Sequence, residues 1–148
     1  MRTPAPILIT LWALLLSGCG STSRSEAVSV EQPRITLPAV KGRPGAAYFT
    51  VQGSGTADRL ATVASPRVER IELHESMAGG MGPLRDTSVP TSGALSFEPG
   101  GRHAMLFGID PAVKVGDRVP LTFTFERAPA VTVQAEVLGP GGAGHISH

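Results

Sequence analysis

The 148-residue chain has one cysteine, Cys19, so the rest of it has no thiol for a disulfide or a thiolate metal site. Runs of basic residues are absent as well: thirteen Lys and Arg are dispersed among twelve Asp and Glu, for a formal net charge of +1. Nucleic-acid binding draws its electrostatic term from clustered cations, and a membrane surface attracts polybasic stretches, so the composition excludes both kinds of partner. No internal repeat or second zone of composition appears, which leaves one domain. After the N-terminal apolar run no stripe of period 3.6 can be found, so a helical fold is excluded. Neither a Ser-His-Asp spacing nor another nucleophile motif stands out, and a redox oxidase would be expected to carry more histidine; the chain does not read as an enzyme.

What is present begins at the N-terminus. Arg2 precedes an apolar stretch from Pro6 to Leu16 that is too short to span a bilayer and reads as an export signal. Its end, Leu16-Ser17-Gly18-Cys19, resembles the bacterial lipobox, in which the cysteine is the cleavage point and carries the lipid. Residues 1–18 are therefore predicted to be a lipoprotein signal peptide and Cys19 the lipidation site. Removal of that peptide takes Arg2 with it and leaves twelve cations facing twelve anions. Contact with a membrane is expected through the lipid alone.

Residues 19–30 are small and polar, with too little apolar content to pack, and read as a tether. A domain is predicted over residues 31–138. Residues 139–148, Gly139-Pro140-Gly141-Gly142-Ala143-Gly144-His145-Ile146-Ser147-His148, read as a flexible tail in which His145 and His148 form a possible weak second metal site or simply face solvent.

Within the domain, short segments alternate apolar and polar residues between Pro and Gly clusters, which is the period of half-buried strands. Val119, Leu121, Phe123 and Phe125 alternate with polar neighbours, as do Val131, Val133, Ala135 and Val137, and the two segments read as consecutive antiparallel strands. Ala47, Phe49 and Val51 mark another strand. Seven to nine such strands without helices predict an all-β sandwich or a Greek-key barrel.

The chemistry lies between Ile71 and Ile109, a span with three of the four methionines and two of the four histidines. In Ile71-Glu72-Leu73-His74 the apolar phase is Ile71 and Leu73, so His74 faces the other way and is expected to be accessible. In His103-Ala104-Met105-Leu106 a core phase of Ala104 and Leu106 sets His103 and Met105 side by side on the opposite face. Gly79-Gly80 predicts a tight hairpin turn, because glycine tolerates positive φ. Across a two-residue turn, paired residue numbers sum to an odd total, so Met81 shares the face of His74 and Met77 does not. Two imidazoles and two thioethers make a soft, neutral set suited to Cu(I), whereas calcium and magnesium want oxygen and zinc normally takes Cys, His or carboxylate. A blue-copper electron-transfer site would need a thiolate, so a carrier is expected in preference to an electron shuttle.

These residues resemble the periplasmic copper chaperones of the PCu(A)C family, whose signature is a His, ten residues, a Met, twenty-one residues, then His-x-Met. Met81, the twenty-one residues after it, His103 and Met105 match its second half, and the likeness extends over about residues 34–138. Pro44-Gly45-Ala46-Ala47-Tyr48-Phe49 resembles the family's Gly-x-Ala-Tyr strand, and Glu98 to Leu106 its most recognisable run. The resemblance implies a cupredoxin-like Greek-key β-sandwich and an exposed Cu(I) site. It also implies delivery to a copper-accepting protein, either the Cu(A) subunit of cytochrome oxidase or another chaperone. Six residues separate His74 from Met81 where the family has ten. Loss of two residues from each hairpin arm preserves the faces, which keeps His74 with Met81, His103 and Met105 in the expected metal site. Two rival functions remain open: a lipoprotein that only sequesters copper, and a structural envelope lipoprotein that binds no metal. The expected location is the periplasm-facing bacterial envelope; Gly20 lacks the Asp associated with inner-membrane retention, which points to the outer membrane.

Overall fold

The computed structural model describes residues 27–142. The predicted signal peptide, Cys19, most of the predicted tether, and His145 and His148 lie outside them. Ten strands follow one another: β1 (Ser29–Thr36), β2 (Gly45–Gln52), β3 (Asp58–Ala64), β4 (Val68–Met77), β5 (Gly80–Pro83), β6 (Ser88–Val89), β7 (Ala94–Phe97), β8 (Arg102–Ile109), β9 (Arg118–Phe125) and β10 (Val131–Leu138). The count exceeds the seven to nine expected because β6 has just two residues and carries no alternation to read. Ahead of Glu31, Val28 is buried and Ser29 pairs with Gln52.

Hydrogen bonding runs without a break in the order β5-β4-β8-β2-β1-β10-β9-β3-β6, with β7 paired to the second half of β2. β9 and β10 pair antiparallel, as their alternation predicts, and β1 and β10 pair in parallel through Arg34 and Glu136, Ile35 and Val137, Thr36 and Leu138. Along this path β2 and β9 are three strand steps apart, about 14 Å if the sheet were flat. Yet Phe49 of β2 and Phe123 of β9 meet edge to face with ring centroids 4.7 Å apart. The sheet is therefore curled onto itself, and the layers of the sandwich are two parts of one bent ladder. The fold is all-β among the described residues.

The core forms between those layers from the residues that the alternation marks. Ala47, Phe49, Val51, Val119, Leu121, Phe123, Ala135 and Val137 are all buried, joined by Ile35, Leu60, Val89, Leu95 and Phe97. Phe97 stacks on Phe49, its cross-strand partner, at 4.3 Å. Burial of each such ring is worth about 1.5–3 kcal/mol, and favourable ring pairing adds roughly 0.5–1.5 kcal/mol. Asp58 stands at the start of β3 as a buried carboxylate. Its Oδ1 accepts from the Arg59 and Arg127 backbone N–H groups at 2.7 and 3.1 Å, and its Oδ2 from that of Ala128 at 2.8 Å, joining β3 to the loop after β9. Burial works against its ionisation, but the three donors and the charge of Arg127 outweigh burial and hold the carboxyl below its ordinary range.

Candidate metal centre

Ala104 and Leu106 of β8 are fully buried, and Ile71 and Leu73 of β4 pack against the core. That phase turns the intervening side chains outward. The antiparallel register then sets Arg70 opposite Phe107, Glu72 opposite Met105 and His74 opposite His103. On the next strand out, Met81 of β5 stands opposite Ser76, two residues beyond His74, and so shares its face. On the inner side Ala46 of β2 pairs with Met105. One outer face thus brings together all four residues predicted from the sequence.

The β4–β5 hairpin turns one residue earlier than the glycine pair suggests: Ala78 and Gly79 form the loop, while Gly80, at φ +131°, pairs with Met77. The partner sum stays odd, so the faces are unaffected. Met77 points to the opposite face and lies over Gly82, where an added Cβ would collide with its methyl group. Its role is to cover the hairpin backbone.

Met81, His103 and Met105 line one cleft of about 300 Å³, closed at its sides by Tyr48, Ser76, Gly100, Ala46 and the Leu37-Pro38 and Pro44 edges. His74 is not in that lining; its ring lies beside that of His103, with centroids 6.1 Å apart. The expected accessibility of the site needs correction. His103 is 8% exposed and the His74 side chain 19%, whereas Met81 is 62% exposed. β8 runs between β4 and β2, so its outward side chains are flanked on both sides. Burial pushes the Tyr48 phenol above its ordinary pKa, partly offset by the charge of Arg34.

Each imidazole has one ring nitrogen held and one free. His103 Nδ1 lies 3.0 Å from the Gly101 carbonyl, which can only accept, so Nδ1 carries a proton and in the neutral ring the lone pair is on Nε2. His74 Nε2 lies 3.2 Å from Glu72 Oε2, which puts a proton on Nε2 and in the neutral ring leaves the lone pair on Nδ1. His103 Nε2 and His74 Nδ1 are both buried without a hydrogen-bond partner. Buried polar atoms are normally paired, so two orphaned lone pairs in adjacent rings are what a metal ion would satisfy. With metal–imidazole bonds of about 2.0 Å, rings that share one ion have centroids roughly 5–6 Å apart, and the observed 6.1 Å lies at the wide end of that range. Among the described residues no three His, Cys, Asp or Glu side chains gather in a metal-binding arrangement. The side chains that this face brings together are two imidazoles and two thioethers, a combination favoured by soft cations.

The family model "Putative lipoprotein LpqE-like" matches residues 28–137. The chain belongs to the LpqE-like family. A relative of this LpqE-like chain in Leifsonia xyli subsp. xyli, named "Putative lipoprotein Lxx21020", is 27% identical over 150 residues, covering 95% of this chain and 90% of the relative. Among solved structures, the copper-bound PCuAC domain from PmoF2 superposes with a TM-score of 0.63 at 26% identity, over 76% of this chain and 93% of that one. The Cu(I) form of DR1885 from Deinococcus radiodurans does so with a TM-score of 0.67 at 25% identity, over 84% and 87%. The sequence resemblance to PCu(A)C domains is thereby borne out.

Sequence reasoning passed over Glu72, Arg70, Tyr48 and the Gly101 carbonyl. The first two carried a signal: in Arg70-x-Glu72-x-His74 the even spacing puts all three on one face of a strand. Tyr48 and Gly101 become neighbours of the site only through strand pairing.

Proposed function

We propose that this lipoprotein binds one Cu(I) through His103, Met105, Met81 and His74 and passes it, without catalysis, to an acceptor protein in the bacterial envelope. The observation that carries this reading is the pair of orphaned imidazole nitrogens beside two thioethers on one face. Neutral soft ligands suit Cu(I), and thioethers hold it where thiols would be lost to disulfide formation. The copper-bound relatives support the same cargo. Met81, the most exposed of the four, is where an incoming ligand meets the ion, and release then proceeds by exchange towards the buried His103. The acceptor implied by the family resemblance is the Cu(A) centre of cytochrome oxidase. Cys19 supplies the anchor, and its replacement by Ser should move the protein from the membrane to the soluble fraction.

The test is a competition titration with bicinchoninate and Cu(I), on the chain that starts at residue 19 with Cys19→Ser so that no thiol competes. One equivalent of Cu(I) should be withdrawn from the indicator by the wild-type site and not by His103→Ala/Met105→Ala. Equal withdrawal by both would overturn the site. The burial of His103 favours a second reading, in which copper is held and not delivered. Mixing the loaded protein with an apo Cu(A) domain separates the two: growth of the acceptor's spectrum supports delivery, and its absence supports sequestration.

A further inference from the structure

Beyond the four ligands, the outer face of β4 and β8 carries a chain of contacts that the copper reading does not use. The Arg70 guanidinium lies 4.4 Å from the centroid of the Phe107 ring, its cross-strand partner. Arg70 Nε is 3.2 Å from Glu72 Oε1, and Glu72 Oε2 is 3.2 Å from His74 Nε2. Phe107 steadies Arg70, Arg70 steadies one carboxylate oxygen, and the other oxygen holds the imidazole. Arg70, Glu72 and His74 alternate along one strand, so the order of contacts follows from strand geometry.

We infer that Glu72 is a positioning residue that selects the Nε2–H tautomer of His74 and presents Nδ1 to copper, while the Gly101 carbonyl makes the opposite choice for His103, which presents Nε2. The inference rests on the copper reading for what the lone pairs are for, but the tautomers themselves are properties of the metal-free protein. The different choice at the two rings has a geometric basis. Nδ1 is the ring nitrogen nearer the backbone, and in His103 it faces a carbonyl two residues back on its own chain. In His74 it is the far nitrogen, Nε2, that reaches a carboxylate two residues away along the strand. A carboxylate partner also raises the electron density of the ring, which strengthens Nδ1 as a donor; partners of this kind are commonly worth 10–100-fold in metal affinity.

The experiment is long-range ¹H–¹⁵N correlation spectroscopy on the metal-free Cys19→Ser chain at about pH 8, above the range where imidazoles ordinarily titrate. Resonances are assigned from spectra of His74→Gln and His103→Gln. His74 is expected to show a protonated Nε2 and a bare Nδ1, and His103 the reverse. In Glu72→Ala the His74 pattern should move towards a mixture of tautomers while His103 keeps its own. Cu(I) affinity should then fall about tenfold, and Glu72→Gln, whose amide oxygen still accepts from Nε2, should restore the tautomer and part of the affinity. A wild-type His74 with its proton on Nδ1, or a Glu72→Ala spectrum unchanged at His74, overturns the inference. Failure of the wild-type protein to bind Cu(I) would instead overturn the proposed function, and the two failures are read from separate measurements.

Discussion

His74 of β4 and His103 of β8 stand directly opposite each other, and each offers an unpartnered nitrogen, yet the two rings are held by different atoms: His103 by a backbone carbonyl, His74 by a carboxylate. The carbonyl belongs to a main chain that cannot swing away, whereas Glu72 is a side chain 40% exposed to water. His103→Ala should therefore weaken Cu(I) binding more than His74→Ala. Each is expected to lower the affinity by at least about tenfold, or ~1.4 kcal/mol, in the bicinchoninate competition.

The two exposed methionines of the hairpin provide an internal control. Met81 faces the cleft and Met77 faces away from it, although they are similarly exposed at 62% and 56%. Met81→Leu should lower Cu(I) affinity about tenfold or more and Met77→Leu should leave it unchanged. Mild peroxide converts exposed thioethers to sulfoxides. Copper loaded beforehand should protect Met81 and leave Met77 open to oxidation, as read by peptide mass.

Asp58 predicts an acid limb in the stability curve. Its carboxyl is held below its ordinary pKa in the folded protein, so the unfolded chain binds the proton more readily. The stability it contributes is present above the unfolded value and is lost as pH falls through the folded one. Asp58→Asn should turn an amide NH₂ towards the Ala128 N–H, at a cost of about 1–3 kcal/mol near neutrality. Its denaturation midpoint should also vary less with pH below about 4, a difference measured by urea unfolding of the two proteins.

Phe123 holds the bend of the sheet through its contact with Phe49. Phe123→Ala should cost about 3–5 kcal/mol, the usual loss for removal of a buried ring. Because neither Phe123 nor Phe49 lines the cleft, Cu(I) affinity of the fraction that stays folded should be unchanged. Thermal unfolding and the competition titration report the two quantities separately.

Much of the site is legible from local alternation. Ala104 and Leu106 announce the buried phase of β8, which places His103 and Met105 together, and the parity of a short hairpin sorts Met81 from Met77 even though the turn lies one residue earlier than the glycines imply. Both inferences need no knowledge of the fold, because a pleated strand has a period of two wherever it lies. The depth of the site was not legible in this way. Alternation reports which side a residue faces but not what flanks it, and His103 is buried because β8 lies between β4 and β2, a neighbourhood assembled from segments some thirty to sixty residues apart.

The sequence by itself determined the all-β class, the apolar residues of the core, the single thiol at Cys19 and the soft character of the proposed ligand set. These follow from composition and from period-two patterning, which act within a few residues. The tertiary structure alone decided the order of the strands, the parallel closure of β1 against β10, and the curl that brings Phe49 to Phe123. It also set His74 against His103 and placed Glu72, Arg70 and the Gly101 carbonyl beside them. Pairing between distant strands is chosen by burial of the whole core at once, and no local window of the chain holds that information.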